Sequence, residues 1–482
     1  MNITIGEHTE PRWAGLREVA AMAGPIVLGM MSYTIMQFVD VAMVSRLGSD
    51  ALAAIGSAGL WTYIFSTFLL GLIGCVSTFV SQSMGKGEKE NCAKYAWQGI
   101  YLSIVAGLLS IFLWPFADVF FGLMGHSESV TALELIYFKV RIAGYLFMAW
   151  GAALSAYFQA IGRPMIPMMI AVFANVLNII LDYVLIFGVG PFPEWGIYGA
   201  GFATVIGQFA FAAVAQMIFM NSASHREFGT RSNMGIDWHR LRELFRIGWP
   251  SGLTYFLEIT TWGIFTSFVV GYFGSLSLAA HTAALNIMHL SFMLALGLNH
   301  AIAPIVGTWI GQGNTDVAIA RTHTSIKLAI GYMTAMGVMF ALFGGWLVEV
   351  VFDQEPEVVS MGHKLLLLAA IFQAFDAITI VTAGALRGAG DTRWMMWAMG
   401  FASYFGFLPL AAVLAWPVGL GAVGAWIGAT VYIIALSGVV YGRFHHGKWR
   451  EMSIFLEGGE DTPLGPGGPS PMLQPASEAT KD

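Results

Sequence analysis

Residues 170–188 read IAVFANVLNIILDYVLIFG, a stretch that is apolar enough to lie in lipid yet carries two amides and a carboxylate. Asn175, Asn178 and Asp182 follow at spacings of three and four residues, which places them on one stripe of an α-helix. A carboxylate at mid-membrane depth costs roughly 2.5–3.5 kcal/mol even on a lenient insertion scale, so it normally faces a partner or a wet cavity. The stretch therefore predicts a membrane helix whose polar stripe faces other protein groups.

The composition of the whole chain indicates a membrane protein. Of its 482 residues, 57% are hydrophobic and only 11% are charged, whereas a soluble protein carries about 25% charged residues. The apolar runs are long and continuous, which excludes the alternating pattern of a β-barrel. The formal net charge of −6 and the absence of a basic segment argue against a nucleic-acid partner. The polar N-terminus lacks the apolar core of a cleaved signal peptide, so the first span should be retained.

Twelve apolar segments are long enough to cross a bilayer as helices. They lie at about 20–45, 51–83, 94–120, 132–159, 165–190, 196–221, 245–272, 276–310, 322–350, 361–386, 393–416 and 420–442. Most lysines and arginines fall in alternate loops, and the other loops hold only Arg46, Lys139, Arg141 and Lys364. Because basic residues collect on the cytoplasmic side, both termini are predicted to be cytoplasmic.

The two halves of the chain repeat. SMGKG at 83–87 matches WIGQG at 309–313, an offset of 226, and LREVAAMAGP from Leu16 matches LRELFRIGWP from Leu241, an offset of 225. Six helices per half is an even number, so the halves share one orientation in the membrane. The predicted organisation is a cytoplasmic N-terminus (1–19), an N-lobe (20–221), a cytoplasmic inter-lobe loop (222–244), a C-lobe (245–445) and a Pro/Gly-rich disordered cytoplasmic tail (446–482).

The acids of the N-lobe are candidates for binding a cation. Asp40 lies on one helix face with Tyr33 and Gln37, and it can meet the stripe of Asp182 inside the lobe. Two carboxylates, the amides of the stripe and the Thr204 hydroxyl would offer oxygen ligands to a monovalent cation, or the two acids would share a proton. The alternatives are an Asp40 that snorkels to water near its helix end, and amides that serve as packing groups between helices.

The C-lobe carries its acids on different helices. Glu258 and Asp376 each lie well inside an apolar run, and Gln373 is one turn from Asp376. Aromatic residues such as Tyr255 and Phe372 surround them and could line a cavity for a flat or cationic ligand. Protonated structural acids and ordinary aromatic core packing are the alternatives. Since no basic residue occupies the middle of a span, a cavity with only acids is expected, and it would favour cations.

Signatures of other functions are absent from the sequence. It contains no Walker A loop, GxSxG or HExxH pattern. Cys75 and Cys92 have neither CxxC nor metal spacing, so neither a disulfide framework nor a transition-metal site is predicted. His281 and His289 are about 80° apart around a helix and are interpreted as core polar groups. We therefore expect neither an enzyme nor a cofactor.

Taken together, these features resemble the multidrug and toxic compound extrusion (MATE) transporters over approximately residues 12–445. The resemblance rests on the six-plus-six repeat, Asp40 in VDVAMVSRLG, the stretch NVLNIILDYVLIFG and the turn GALRGAGDTR. The presence of both Glu258 and Asp376 is similar to the NorM-like bacterial branch. The tail after residue 445 has no counterpart in this resemblance.

The resemblance implies an all-α fold of twelve transmembrane helices in two parallel six-helix repeats that form a V-shaped pair of lobes. It implies a multi-pass, monomeric protein of the cytoplasmic (inner) membrane that exports organic cations in exchange for inward Na⁺ or H⁺. The residues that it suggests are a first-lobe cation site of Asp40, Asn178, Asp182 and Thr204, the second-lobe carboxylates Glu258 and Asp376, and a helix bend at Pro25.

Secondary antiport of a monovalent cation against drug-like organic cations is thus the function expected from the sequence. One alternative is a lipid-linked saccharide flippase of related architecture, which would need basic residues in its cavity for the pyrophosphate. The alternatives from other classes are a membrane channel and a membrane-embedded enzyme. The sequence alone decides neither between Na⁺ and H⁺ nor which lobe couples.

Overall fold

The computed structural model describes residues 2–5, 8–11, 13–352 and 355–456. Helices occupy all twelve predicted segments, and we number them span 1 to span 12. In chain order the spans are Ala14–Leu47, Ser49–Gly85, Lys89–Gly122, Glu128–Ala143 with Tyr145–Ala160, Met165–Phe187, Gly196–Phe219, Trp238–Phe273, Ser275–Gly311, Thr315–Phe352, Pro356–Ala389, Thr392–Ala415 and Gly421–His446. The predicted all-α membrane fold is confirmed.

Span 4 differs from the other spans. Eleven helices of the described residues are long and apolar enough to cross a membrane. Span 4 is not among them, because the chain turns at Gly144 and leaves two helices of 16 residues each. A Cβ on Gly144 would lie 2.6 Å from the Gln208 side-chain oxygen, so the turn packs tightly on span 6. The N-terminus pairs Asn2–Ile5 with His8–Pro11 in a short antiparallel hairpin.

The repeated glycine motifs meet at one end of the helix bundle. We call it the terminal end, because span 1 begins there and span 12 ends there. A Cβ on Gly85 would lie 2.1 Å from the Thr308 carbonyl oxygen, and one on Gly311 would lie 2.2 Å from the Gln82 carbonyl oxygen. Gly85 and Gly311 are equivalent in the repeat, and equivalent residues touch only near the axis that relates two copies. The SMGKG and WIGQG segments therefore form the central contact between the lobes.

Spans 1 and 7 exchange partners beside this axis. Val19, Ala23 and Ile26 of span 1 belong to a buried cluster that is otherwise built from spans 8 to 12 and Trp449. Leu244 and Ile247 of span 7 belong to a buried cluster of the N-lobe. The predicted lobe boundaries thus follow the repeat in sequence, whereas the packing joins each lobe to the first turns of the other.

The inter-lobe loop is folded onto the terminal end. It contains the helix Ser222–Phe228, and Trp97 of span 3 donates a 2.7 Å hydrogen bond to the Thr230 carbonyl. Arg163 donates to Glu227 at 2.6 Å, and this bond lowers the pKa of the Glu227 carboxyl below its usual range. The loop is therefore a docked element rather than a loose connection.

Residues 447–456 contradict the predicted disorder of the tail. Trp449 and Ile454 are 1% and 2% exposed, because Trp449 packs on the C-lobe cluster and Ile454 on the N-lobe cluster. Arg246 donates to the Ile454 carbonyl at 2.5 Å, and the Leu456 amide donates to Glu243 at 2.7 Å. The segment is apolar enough to be buried, which the Pro/Gly-rich composition further on obscured. The rest of the predicted tail, 457–482, lies outside the described residues.

Candidate cation sites between and within the lobes

The N-lobe acids meet in a sealed site. Asp40 of span 1 and Asp182 of span 5 are 2% and 0% exposed, although each comes from an apolar helix. In the amide orientation that satisfies both neighbours, Asn178 donates to Asp182 at 3.0 Å and accepts from the Thr204 backbone amide at 3.1 Å. The Thr204 hydroxyl donates to the Ala200 carbonyl of its own helix at 3.0 Å. The structure thus brings together all four residues that the resemblance suggested.

One oxygen of each aspartate is left without a donor. Oδ1 of Asp40 and Oδ1 of Asp182 are buried and accept no hydrogen bond from the residues that the structure describes. A buried acceptor without a partner costs about 1–3 kcal/mol, and more when it is charged. Carboxylate oxygens in this state are suited to take up a proton or a hard cation.

Asn175 plays a different part from Asn178. Its side-chain nitrogen donates to the Ser32 hydroxyl of span 1 at 3.0 Å, and the residue is only half-buried. This bond ties span 5 to span 1, which is the packing role that the sequence had left open. His281 also has a packing role, because its ring hydrogen-bonds Thr266 at 2.8 Å and accepts from Trp426 at 3.1 Å. His289 is exposed, so the prediction that it is a core residue is wrong.

Arg141 was not recognised as part of the N-lobe site. The sequence placed it near the outer end of span 4, but its charge acts on both Asp40 and Asp182. The guanidinium lies 5.9 Å from the ring centroid of Tyr137. The expectation that the acids have no basic partner is therefore wrong, because Arg141 lies three residues before the turn at Gly144, in the middle of span 4, and its charge acts on both carboxylates.

The C-lobe acids are more open. Glu258 of span 7 and Asp376 of span 10 are half-buried and act electrostatically on each other. Arg387, which the sequence assigned to a loop, acts on Glu258 and donates to the Tyr255 hydroxyl and to the Asn299 side-chain oxygen, the latter at 2.6 Å. Each pair of acids thus has one arginine nearby, and with all groups ionised each site carries a net charge of −1.

The prediction that Phe372 and Gln373 line a cavity is wrong. Phe372 is 0% exposed and belongs to the apolar core of the C-lobe. Gln373 is also 0% exposed and donates to the Ser291 hydroxyl of span 8 at 2.8 Å. Span 10 packs against spans 8, 9 and 12, so only part of its circumference remains for a cavity. Gln37 and Tyr255 are half-buried.

Tyrosines of the two lobes face one another. Tyr33 and Tyr63 of the N-lobe are 42% and 49% exposed, and Tyr63 interacts electrostatically with Tyr33, Tyr255 and Glu258. Nearer the terminal end, the backbones of spans 2 and 7 close, since a Cβ on Gly71 would lie 2.7 Å from the Gly252 Cα. Tyr63 was missed because nothing in its sequence neighbourhood distinguishes it from a lipid-facing aromatic.

The predicted helix bend does not interrupt span 1. The α-helix runs without a break from Ala14 to Val44, and Pro25 is buried inside it. In the described residues there is no group of three or more His, Cys, Asp or Glu side chains that could hold a metal ion. A role of Pro25 in bending stays a prediction.

A model of the MatE family matches the chain twice, at residues 25–184 and 250–413. This chain belongs to the MatE family. The two matches begin 225 residues apart, at Pro25 and Pro250, which agrees with the offset between the repeated motifs. MatE membership confirms the family resemblance, whereas the role of each site residue stays a prediction.

Relatives of this MatE protein are named for drug resistance. It is 31% identical over 436 residues to a probable multidrug resistance protein NorM of Brucella suis, covering 86% of this chain and 90% of that protein. It is 26% identical over 440 residues to a probable multidrug resistance protein NorM of Thermotoga maritima, covering 91% and 94%. Both names denote multidrug resistance proteins.

Solved structures show the same fold. The chain matches a mutant of the Vibrio cholerae MATE transporter VcmN with a TM-score of 0.83 at 20% identity, over 92% of this chain and 98% of that one. It matches a MOP superfamily transporter from Pyrococcus furiosus with a TM-score of 0.82 at 22% identity, over 91% and 97%. At these identities the likeness concerns the fold alone.

Proposed function

We propose that this chain is a secondary multidrug antiporter of the cytoplasmic membrane, which exports organic cations in exchange for inward Na⁺ or H⁺. The observation that carries the proposal is that Asp40 and Asp182 each have one buried carboxylate oxygen without a hydrogen-bond donor. A buried acid pair of this kind takes up a small cation or a proton. The drug-resistance names of the relatives support organic cations as the exported class.

The two acid sites suit different ligands. The N-lobe pair is too deeply buried for anything larger than an ion, whereas the half-buried Glu258 and Asp376 lie beside tyrosines that face the other lobe. Aromatic faces and a net negative charge attract flat organic cations. We therefore assign the coupling ion to the N-lobe site and the drug to the C-lobe side of the inter-lobe face.

Exchange requires two states of the lobes with different affinities for ion and drug. The described structure is closed at the terminal end, where the SMGKG and WIGQG segments touch. In the proposed cycle this contact opens to load drug from the cytoplasm and closes again for release on the other side. The basic residues at the terminal end support a cytoplasmic location of that end.

The flippase alternative gains one feature from the structure, since Arg141 and Arg387 are basic residues inside the lobes. Each arginine, however, is outweighed by two acids. A site with a net charge of −1 repels a pyrophosphate, so the same observation favours cationic cargo.

Transport by purified protein in proteoliposomes tests the proposal. Ethidium flux is measured with a Na⁺ gradient, with a pH gradient, with both and with neither. We expect accumulation against a concentration gradient under at least one imposed ion gradient. Flux that is equal with and without the gradients would instead indicate a channel, and no flux of any cationic dye would contradict the proposal.

A further inference from the structure

Arg387 is held by uncharged groups of two other spans. It lies in the last turn of span 10, and its guanidinium donates to the Tyr255 hydroxyl of span 7 and to Asn299 of span 8. The bonds to Asn299 are 2.6 Å to the side-chain oxygen and 3.3 Å to the backbone carbonyl. A hydroxyl, an amide and a carbonyl fix the position of the guanidinium, but they do not cancel its charge.

The acids that interact with the charge of Arg387 are those of the C-lobe. Tyr255 is three residues before Glu258, so the two share a face of span 7. Asp376 is eleven residues before Arg387, just over three helical turns of about 3.6 residues, so these two share a face of span 10. Arg387 acts electrostatically on Glu258, and Glu258 acts on Asp376. Glu258 therefore links the charge of Arg387 to that of Asp376, which lies about 16 Å away from Arg387 along span 10.

The other lobe holds the backbone of span 10 at Arg387. Thr78 of the N-lobe donates to the Arg387 backbone carbonyl at 3.0 Å, and Gln82 donates to the next carbonyl, of Gly388, at 3.1 Å. A guanidinium stays charged at every physiological pH. As long as the terminal end is closed, the site beside Glu258 thus contains a fixed positive charge.

We propose that Arg387 is a specificity-determining residue, an internal counter-cation that limits the drug to a single positive charge. With Arg387 present, a monocation neutralises the site, whereas a dication leaves it with an excess positive charge beside a fixed guanidinium. The proposal deepens the proposed function, because it names monocationic amphiphiles as the substrate class of the same site.

Two dyes that share one ring system provide the test. Ethidium and propidium have the same phenanthridinium core, with one and two positive charges. Initial transport rates and equilibrium dissociation constants are measured for both dyes with the wild type, Arg387→Gln and Arg387→Lys. We expect the propidium-to-ethidium ratio to rise roughly tenfold in Arg387→Gln, the effect of losing a repulsive unit charge about 10 Å away at an effective dielectric constant of about 20. Arg387→Lys should keep the wild-type ratio.

Two further variants control for charge in general. Arg163→Gln removes a positive charge from the surface of the terminal end, where Arg163 pairs with Glu227, and it should leave the ratio unchanged. Glu258→Gln removes a negative charge from the site and should lower the ratio of propidium to ethidium binding. This opposite change keeps the inference testable if Arg387→Gln does not fold.

An unchanged ratio in a folded Arg387→Gln, or equal rises in the Gln and Lys variants, would overturn the inference. If Arg387→Gln does not fold, an unchanged binding ratio in Glu258→Gln would do the same. The dissociation constants decide the role of Arg387 even without transport. A wild type that moves ethidium while the ratios stay constant contradicts only this inference, and a wild type that moves neither dye under any gradient contradicts the proposed function.

Discussion

The two acid sites have the same charges but differ in access. Each combines two carboxylates with one arginine, yet Asp40 and Asp182 are sealed while Glu258 and Asp376 are half-buried. Charge alone would give both sites the same preference for cations. Under the proposed function, the difference teaches that burial, rather than charge, would sort a small ion from an organic cation.

The repeat shows how the lobes came to differ. At the offset of 225, with which the two family matches begin, Asp40 corresponds to Phe265 of span 7. Phe265 touches Phe407 of span 11, with ring centroids 4.9 Å apart. Both lie in π-helical turns, Phe265–Val270 and Ala402–Phe407. The C-lobe therefore has an aromatic contact at the position where the N-lobe has Asp40, and it carries its acids elsewhere.

Substitutions of the four acids should show the difference between the two sites most clearly. We expect Asp40→Asn and Asp182→Asn to reduce gradient-driven transport by roughly a hundredfold while dye affinity changes less than about threefold, because the ion loses a charged ligand. Glu258→Gln and Asp376→Asn should instead weaken ethidium binding about tenfold. Transport in proteoliposomes and dye binding by fluorescence measure the two effects. Asp118→Asn, at an exposed ion pair with Lys139, is the control. Wild-type transport by Asp182→Asn would refute the assignment of coupling to the N-lobe.

A substitution that disturbs the closed contact at the terminal end should reduce transport without distinguishing between the two acid sites. Gly311→Val places a side chain 2.2 Å from the Gln82 carbonyl, and overpacking of this kind costs about 1–3 kcal/mol. We expect transport to fall about tenfold because the closed state is penalised, with dye binding by the purified protein retained. Gly331→Val of span 9 is the matched control, since a Cβ there meets nothing within 4 Å. Equal effects of the two substitutions would show that the axis contact is not needed.

Substitution of Arg141 should have the smallest effect of these variants, a change in the affinity of the N-lobe site for the coupling ion. Replacing it with Gln removes a positive charge that acts on Asp40 and Asp182, so the N-lobe site would bind the coupling ion more tightly. We expect the ion concentration at half-maximal transport to fall roughly three- to tenfold, with Arg141→Lys close to the wild type. Ion titration of ethidium transport measures it. A rise in that concentration would mean that Arg141 supports ion binding through packing.

Local spacing in the sequence predicted a large part of the fold and the acidic residues. The motif pair SMGKG and WIGQG gave the repeat, and the spacing of Asn178 and Asp182 gave the buried stripe, because helical periodicity relates sequence directly to one face. Asp40 beside that stripe followed from the family resemblance and from its apolar surroundings.

Long side chains and tertiary packing account for what the sequence did not reveal. Arg141 and Arg387 appear in the sequence as charges near span ends, but in the structure their charges act on the acids inside the lobes. Phe372 shares a face with Asp376 and was expected to line a cavity, yet neighbouring spans cover that part of the helix. Such placements depend on which helices are adjacent, and periodicity within a single helix does not contain that information.

The docked segment 447–456 has a consequence for how the protein is made. Phe455 packs against Phe79 and Tyr95 of the N-lobe, and Lys86 lies 3.8 Å above its ring. About 235 residues separate Phe455 from the end of the N-lobe at residue 221, which corresponds to about 12–47 s of translation at 5–20 residues per second. During that interval the N-lobe, although complete in sequence, presents an uncovered aromatic surface on its terminal end. A ribosome that stops before residue 454 would thus release a chain with every span but a permanently exposed patch, a natural mark for quality control.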